Sequence, residues 1–148
     1  MKTLNKYILL ILVLLLIVTS TLILKTSAEK KVLQKNIDNI YINAISDSMD
    51  GLTKDYNLIN TNEKIELYYK TLSNLRDALD VFYFTSYKEY NDLFITLNNL
   101  YIYLLENRNE SYEINNNLYI QEFLGTILVS PDDKQKINDF NNSIGSKK

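Results

Sequence analysis

From Tyr7 to Leu24 the chain reads YILLILVLLLIVTSTLIL, an apolar run without a charge. Eighteen residues at 1.5 Å rise make a helix of about 27 Å, close to the ~30 Å hydrocarbon core of a bilayer. The pattern predicts a membrane helix. Lys2 and Lys6 precede the run and Lys25 closes it, the layout of a signal anchor over residues 1–28. Thr26-Ser27-Ala28 is a weak small-residue cleavage site before Glu29. Within the span, Thr19, Ser20 and Thr21 are expected to bond back to carbonyls one turn earlier.

After the run the apolar positions fall into helical steps. Leu33, Ile37, Ile40 and Ala44, then Ile45, Met49, Leu52, Tyr56 and Ile59, follow three- and four-residue spacing and predict a helix from Glu29 to about Ile59. Gly51 is its weak point, a kink or an end. Asn60 with Glu63 forms a capping box. The helix that follows carries Ile65, Tyr68, Leu72, Leu75, Leu79 and Phe82 on a strict seam, with Glu66–Lys70 and Arg76–Asp80 as one-turn pairs.

A second capping box is read at Ser86 to Glu89. Its helix carries Tyr90, Phe94, Leu97, Tyr101 and Leu104 on one line, with Leu93 and Leu100 beside them, and ends in the polar cluster 106–110. A further helix is expected from near Ser111 through Leu118, Phe123, Ile127 and Leu128. The last is expected to start with Ser130 as cap and Pro131 at its first position, carry Ile137, Phe140 and Ile144, and stop at Gly145. Residues 146–148 read as a frayed tail. No stretch alternates with period two. The predicted fold is all-α: an N-terminal transmembrane helix (1–28), then an antiparallel bundle of about four helices (29–145).

Composition narrows the chemistry. The 148 residues include no Cys, His or Trp, one Pro and three Gly. Disulfides, thiolate sites, cysteine nucleophiles and histidine bases are thereby excluded. With Lys2, Lys6 and Lys25 set aside, 13 basic residues face 18 acidic ones. An acidic domain without a basic stripe argues against nucleic acid as a partner.

Candidate acid–base pairs are Asp47/Asp50, Asp77/Asp80 and Glu63/Glu66. Each is placed by the periodicity on the face opposite the apolar stripe, beside Lys54, Arg76 or Lys70, which reads as a solvated helix face. A calcium loop at Asp50-Gly51 fails because Met49 and Lys54 stand near where ligand oxygens are needed. No phosphate loop or nucleophile elbow occurs. The expectation is no catalytic residue, no metal ligand, no cofactor and no enzyme. The sequons at Asn109 and Asn141 are what chance gives in an Asn-rich chain.

Among 12 tyrosines and five phenylalanines, one group crowds a single turn: Phe82, Tyr83, Phe84, Tyr87 and Tyr90. It is either an interaction surface or ligand pocket, or core at Phe82 and Tyr90 with a wet edge at Tyr83 and Tyr87.

The order of parts, a membrane helix running into helices, and the heptad-like stretch VLQKNIDNIY from Val32 to Tyr41 resemble the amino-terminal half of bacterial chemoreceptors. The resemblance is one of architecture and implies a small-ligand-sensing ectodomain. The leading expectation is a single-pass cell-membrane protein with its helical domain extracytoplasmic. It contacts the lipid bilayer through Tyr7–Leu24 and works by contact with a protein partner or as a homo-oligomer, as an accessory of a bacterial envelope assembly. A cytoplasm-facing immunity or exclusion protein is the reading with opposite topology.

Overall fold

The computed structural model describes the backbone of residues 2–108, 112, 114 and 116–145, and within that set the side chains of residues 12 and 14–144. The tail at 146–148 and the sequon at 109–111 lie outside the described residues. Five helices are described, and no strand among the described residues: α1 (Lys2–Asp50), α2 (Thr61–Phe82), α3 (Asn91–Glu106), α4 (Asn117–Val129) and α5 (Lys134–Gly145). The all-helical expectation holds. The compact units divide as Met1–Asn36 and Ile37–Lys148.

In the first unit Leu14 to Val18 and Leu22 to Leu24 are exposed in sequence, so every side of the helix is apolar. Thr19 and Ser20 donate to the Leu16 carbonyl (3.0 and 2.7 Å), Thr21 to Val18 (2.8 Å) and Thr26 to Leu22 (2.9 Å). These hydroxyls make the expected back-bonds. Among the described residues no helix is long and apolar enough to cross a membrane. By that measure the structure lends no support to the expected membrane helix.

The second unit is a helical bundle. Its core joins Tyr41, Ala44 and Ile45 of α1 to Tyr68, Leu72, Leu75, Leu79 and Phe82 of α2. Leu93, Leu97, Leu100 and Leu104 of α3, Phe123 and Leu124 of α4, and Ile137 and Phe140 of α5 complete it. Ile40, expected in the stripe, is instead 52% exposed and its neighbour Tyr41 is buried.

α1 ends at Asp50 rather than near Ile59, and Leu52 and Tyr56 are buried from turns. Gly51 permits this ending by closeness rather than by backbone angle. A Cβ there would meet the Thr71 hydroxyl oxygen at 2.4 Å and the Leu67 carbonyl at 3.0 Å. The Asn60–Glu63 box forms as read: Glu63 N–H donates to Asn60 Oδ1 and Asn60 N–H to Glu63 Oε2, both at 3.0 Å. In α2 the seam is buried save Ile65, with Thr71 and Ala78 added. Arg76 pairs with Asp80 at 3.1 Å, whereas Lys70 turns to Asp50 of α1 at 3.2 Å.

Two starts differ from expectation. α3 begins at Asn91, not at a Ser86 cap, because the N–H groups near Ser86 are already engaged. Ser86 N–H donates to Asp38 Oδ1 (2.8 Å) and Tyr87 N–H to Thr85 Oγ1 (3.1 Å). α5 begins at Lys134. Ser130 and Pro131 instead enter a turn closed by Asp133 N–H to the Ser130 carbonyl (3.2 Å), with Pro in the turn's second place. Asp133 then caps the helix by accepting Lys136 N–H at 3.0 Å. The α4 start expected near Ser111 falls at Asn117, after Asn116 in the left-handed region (φ 59°), a conformation Asn tolerates.

The antiparallel arrangement holds for α2 against both α1 and α3. Asp50 meets Lys70 while Tyr41 meets Phe82, and Phe82 meets Phe94 while Tyr68 meets Leu104. α4 and α5 are antiparallel too: Tyr119 and Ile120, early in α4, share a cleft with Ser143 and Ile144 at the end of α5, and Thr126, late in α4, shares another with Lys136 at the start of α5. α5 departs from the pattern and lies parallel to α3: Leu93 shares a cleft with Ile137, and Asn99 bonds Asn141 at 2.7 Å. The physical reason is that α4 is interposed and reverses the chain before α5.

Candidate functional site

α2 ends at Phe82, and the turn 83–90 that follows is fixed by its own polar groups. Phe84 N–H donates to Val81 (2.9 Å) and Thr85 N–H to Phe82 (3.0 Å). Tyr90 N–H donates to Tyr87 (2.9 Å). Thr85, 1% exposed, adds a hydroxyl bond to the Phe82 carbonyl at 2.6 Å. Asp38 reaches across from α1 to hold Ser86. A buried threonine and a distant aspartate therefore shape the turn.

This frame distributes the five aromatic candidates. Phe82 is fully buried and is the hub, with its ring centroid 5.7 Å from Tyr41, 5.4 Å from Phe94 and 5.9 Å from Tyr83. Tyr83 is exposed, with its ring 4.7 Å from Phe94. Tyr87 is half-buried, 5.2 Å from Tyr41. Phe84 is 67% exposed. Tyr90 is exposed and turns to a different place, a cleft of about 340 Å³ shared with Glu89, Pro131, Lys134 and Ile137. Phe82 and Tyr83 are brought together with Phe94, and Phe82 and Tyr87 with Tyr41, whereas Tyr90 lines the separate cleft.

Sequence reasoning missed Tyr41, Phe94 and Asp38 as members of the cluster. Burial pushes the Tyr41 hydroxyl well above its ordinary pKa, with Tyr87 adding to the effect. That hydroxyl is buried without a hydrogen-bond partner among the described residues. Tyr87 is raised by burial first, then by the charge of Asp38 and by Tyr90.

A second ring group was also missed. Tyr68, Tyr69 and Tyr112 stand within about 6 Å of one another, and Arg108 lies 5.5 Å from the Tyr112 ring centroid. Arg108 Nη1 donates to the Tyr69 hydroxyl at 3.0 Å. Only Tyr68 carried a sequence signal, through the α2 seam.

Of the acidic pairs, Asp47, Asp77 and Asp80 line an open groove of about 470 Å³ with Asn43, Asn74, Ile40 and Val81. Asp50 is engaged by Lys70, Asp80 by Arg76, and Glu63 by the α2 cap. Among the described residues no three acidic side chains gather in a metal-binding arrangement.

Next to the aromatic turn, α3 carries a second set of apolar positions. Ile95, Ile102 and Leu105 are 43, 37 and 49% exposed, while Leu93, Leu97, Leu100 and Leu104 face the core. Tyr83 and Phe84 are exposed as well, and the Tyr83 ring lies 4.7 Å from that of Phe94 in α3. Their chemistry is that of contact: apolar area with a polar edge of hydroxyls and amides. No known protein family, curated protein or solved structure matches the chain.

Proposed function

We propose that this chain is a single-pass membrane protein whose helical domain works by protein–protein contact, as an accessory of a bacterial envelope assembly. The observation that carries the reading is the apolar run itself. Tyr7 to Leu24 holds no charge, and its described part, from Leu14 to Val18 and from Leu22 to Leu24, is exposed on all sides. An all-round apolar helix has no stable place in water and requires a lipid or protein cover. The hydroxyls within it bond back to its own carbonyls, as a helix in hydrocarbon requires. Lys2 and Lys6 before the run fit a signal anchor with the bundle extracytoplasmic.

Contact is favoured over ligand sensing by where the aromatic candidates lie. Tyr83 and Phe84 are exposed, and the Tyr83 ring lies against Phe94 of α3.

The test is a photo-crosslinking residue in place of Phe84 in the membrane-bound chain. A discrete adduct with one identified protein, abolished when Tyr83 and Ile95 are changed to Glu, is the expected result. A ladder insensitive to those changes, or no adduct, overturns the contact reading.

A further inference from the structure

A helix with apolar side chains on two sides needs two covers. α3 buries one stripe in the bundle and presents, on the opposite side, Asn91, Ile95, Asn98, Ile102 and Leu105. Those positions step by four, three, four and three, the strict heptad seam of a coiled coil. The flanks of α3 are already taken: Phe94 meets Phe82 of α2 on one side, and Asn99 bonds Asn141 of α5 on the other. The seam lies open between them.

The residues on the seam point to the kind of cover. Between Asp92 and Glu106 α3 has no charged residue, so the face offers nothing to attract a basic or acidic partner. Ile95 and Ile102 take the a positions, and Asn98 and Leu105 the d positions. β-Branched residues at a with Leu at d favour two parallel strands. Asn98 is half-buried in the middle. An amide carries both donor and acceptor, so it is its own complement across a twofold axis, and one polar layer fixes the register of such a seam.

We propose that the open face of α3 pairs with the same face of a second copy of this chain, in parallel, with Asn98 against Asn98. The inference rests on the contact reading above and names its partner. With Tyr83 beside Phe94, each face leaves on the order of 400 Å² of apolar surface uncovered. Two such faces with their polar rims reach about 1,000 Å², the lower bound for a specific pair. Confinement to a bilayer raises the effective concentration and lets a face of that size suffice.

The chain has no cysteine, so single substitutions read the geometry directly. Full-length Asn98→Cys and Leu105→Cys variants are oxidised in isolated membranes, with Ser73→Cys on the exposed side of α2 as control. Both α3 variants are expected to give a disulfide-linked dimer and the control a monomer. Adding Ile102→Glu to Asn98→Cys sets like charges against each other and should lower the dimer yield at least about tenfold. Circular dichroism of that double variant verifies that the helices remain. No dimer from Asn98→Cys, or equal yield from Ser73→Cys, overturns the pairing. A dimer from Asn98→Cys with none from Leu105→Cys overturns the parallel arrangement. A chain that fails to dimerise yet still gives the discrete Phe84 adduct with a different protein loses the pairing and keeps the contact reading.

Discussion

The hydroxyl of Tyr68 in α2 donates to the carbonyl of Leu104, in the last turn of α3. Three residues on, the Thr71 hydroxyl donates to the Ser48 carbonyl in the last turn of α1 at 3.2 Å. The last four carbonyls of a helix have no partner within it. α2 thus supplies hydroxyls to the carboxyl ends of both helices it lies against, where neither has a basic residue in its last turn.

Tyr68→Phe keeps the ring and removes the donor, leaving the buried Leu104 carbonyl short of a partner. We expect a loss of about 1–3 kcal/mol in urea unfolding. Tyr41→Phe is the contrast, since its buried hydroxyl has no partner among the described residues. That change should leave stability equal or raise it by about 1 kcal/mol. A loss of stability in Tyr41→Phe as large as in Tyr68→Phe would contradict the assignment.

The same two tyrosines set an alkaline response. Burial raises both hydroxyls above the ordinary value of 10.0, so the folded state holds their protons longer than the unfolded chain. Stability from this source is complete below pH 10 and falls as the pH rises through the folded-state values. Melting temperature measured upward from pH 9 should drop above about pH 10, and less steeply in Tyr41→Phe.

Gly51→Ala tests the close approach of α1 to α2. The added Cβ meets the Thr71 hydroxyl and the Leu67 backbone together, and backbone cannot step aside as a side chain can. Destabilisation of about 1–3 kcal/mol is expected. Partial rescue in Gly51→Ala with Thr71→Val would run against this, since removing the hydroxyl leaves the Leu67 carbonyl in place and orphans the Ser48 carbonyl.

The capping box at Asn60 offers a local test. Asn60→Ala removes the acceptor for Glu63 N–H and should cost about 1 kcal/mol. Ser86→Ala should cost less than about 0.5 kcal/mol, because the bond at that position is made by its backbone N–H to Asp38. Asp38→Ala, in contrast, should loosen the aromatic turn, seen as a rise in the hydrogen exchange of Ser86.

The Asn60 cap was legible because every atom in it lies within four residues. The α2 seam and the Ile137, Phe140 and Ile144 stripe were legible because periodicity is local as well. Ser86-Tyr87-Lys88-Glu89 has the same letters as a capping box, yet a partner 48 residues away claims its N–H, and no short window shows that. Ser130-Pro131 misled in a similar way, since Pro suits a turn's second position as well as a helix's first. In α1 the three- and four-residue steps ran through Ile40, and the structure buries Tyr41 because Phe82 and Tyr87 stand opposite it. The aromatic group was visible as a cluster in sequence. Its partners Phe94 and Tyr41 were not, because they come from other helices and meet Phe82 only in the fold.

The proposed membrane anchor at Tyr7–Leu24, with the bundle outside, is open to a single labelling experiment. Ser73→Cys and the cysteine-free parent chain are expressed in parallel, intact cells are treated with a membrane-impermeant maleimide, and label is read on the immunoprecipitated chain. Membranes from the same cells are washed at alkaline pH and immunoblotted. An anchored, outward-facing bundle gives labelling in intact cells and full-length protein retained in the washed membranes. Labelling only after lysis, or release of the chain by the wash, would contradict it.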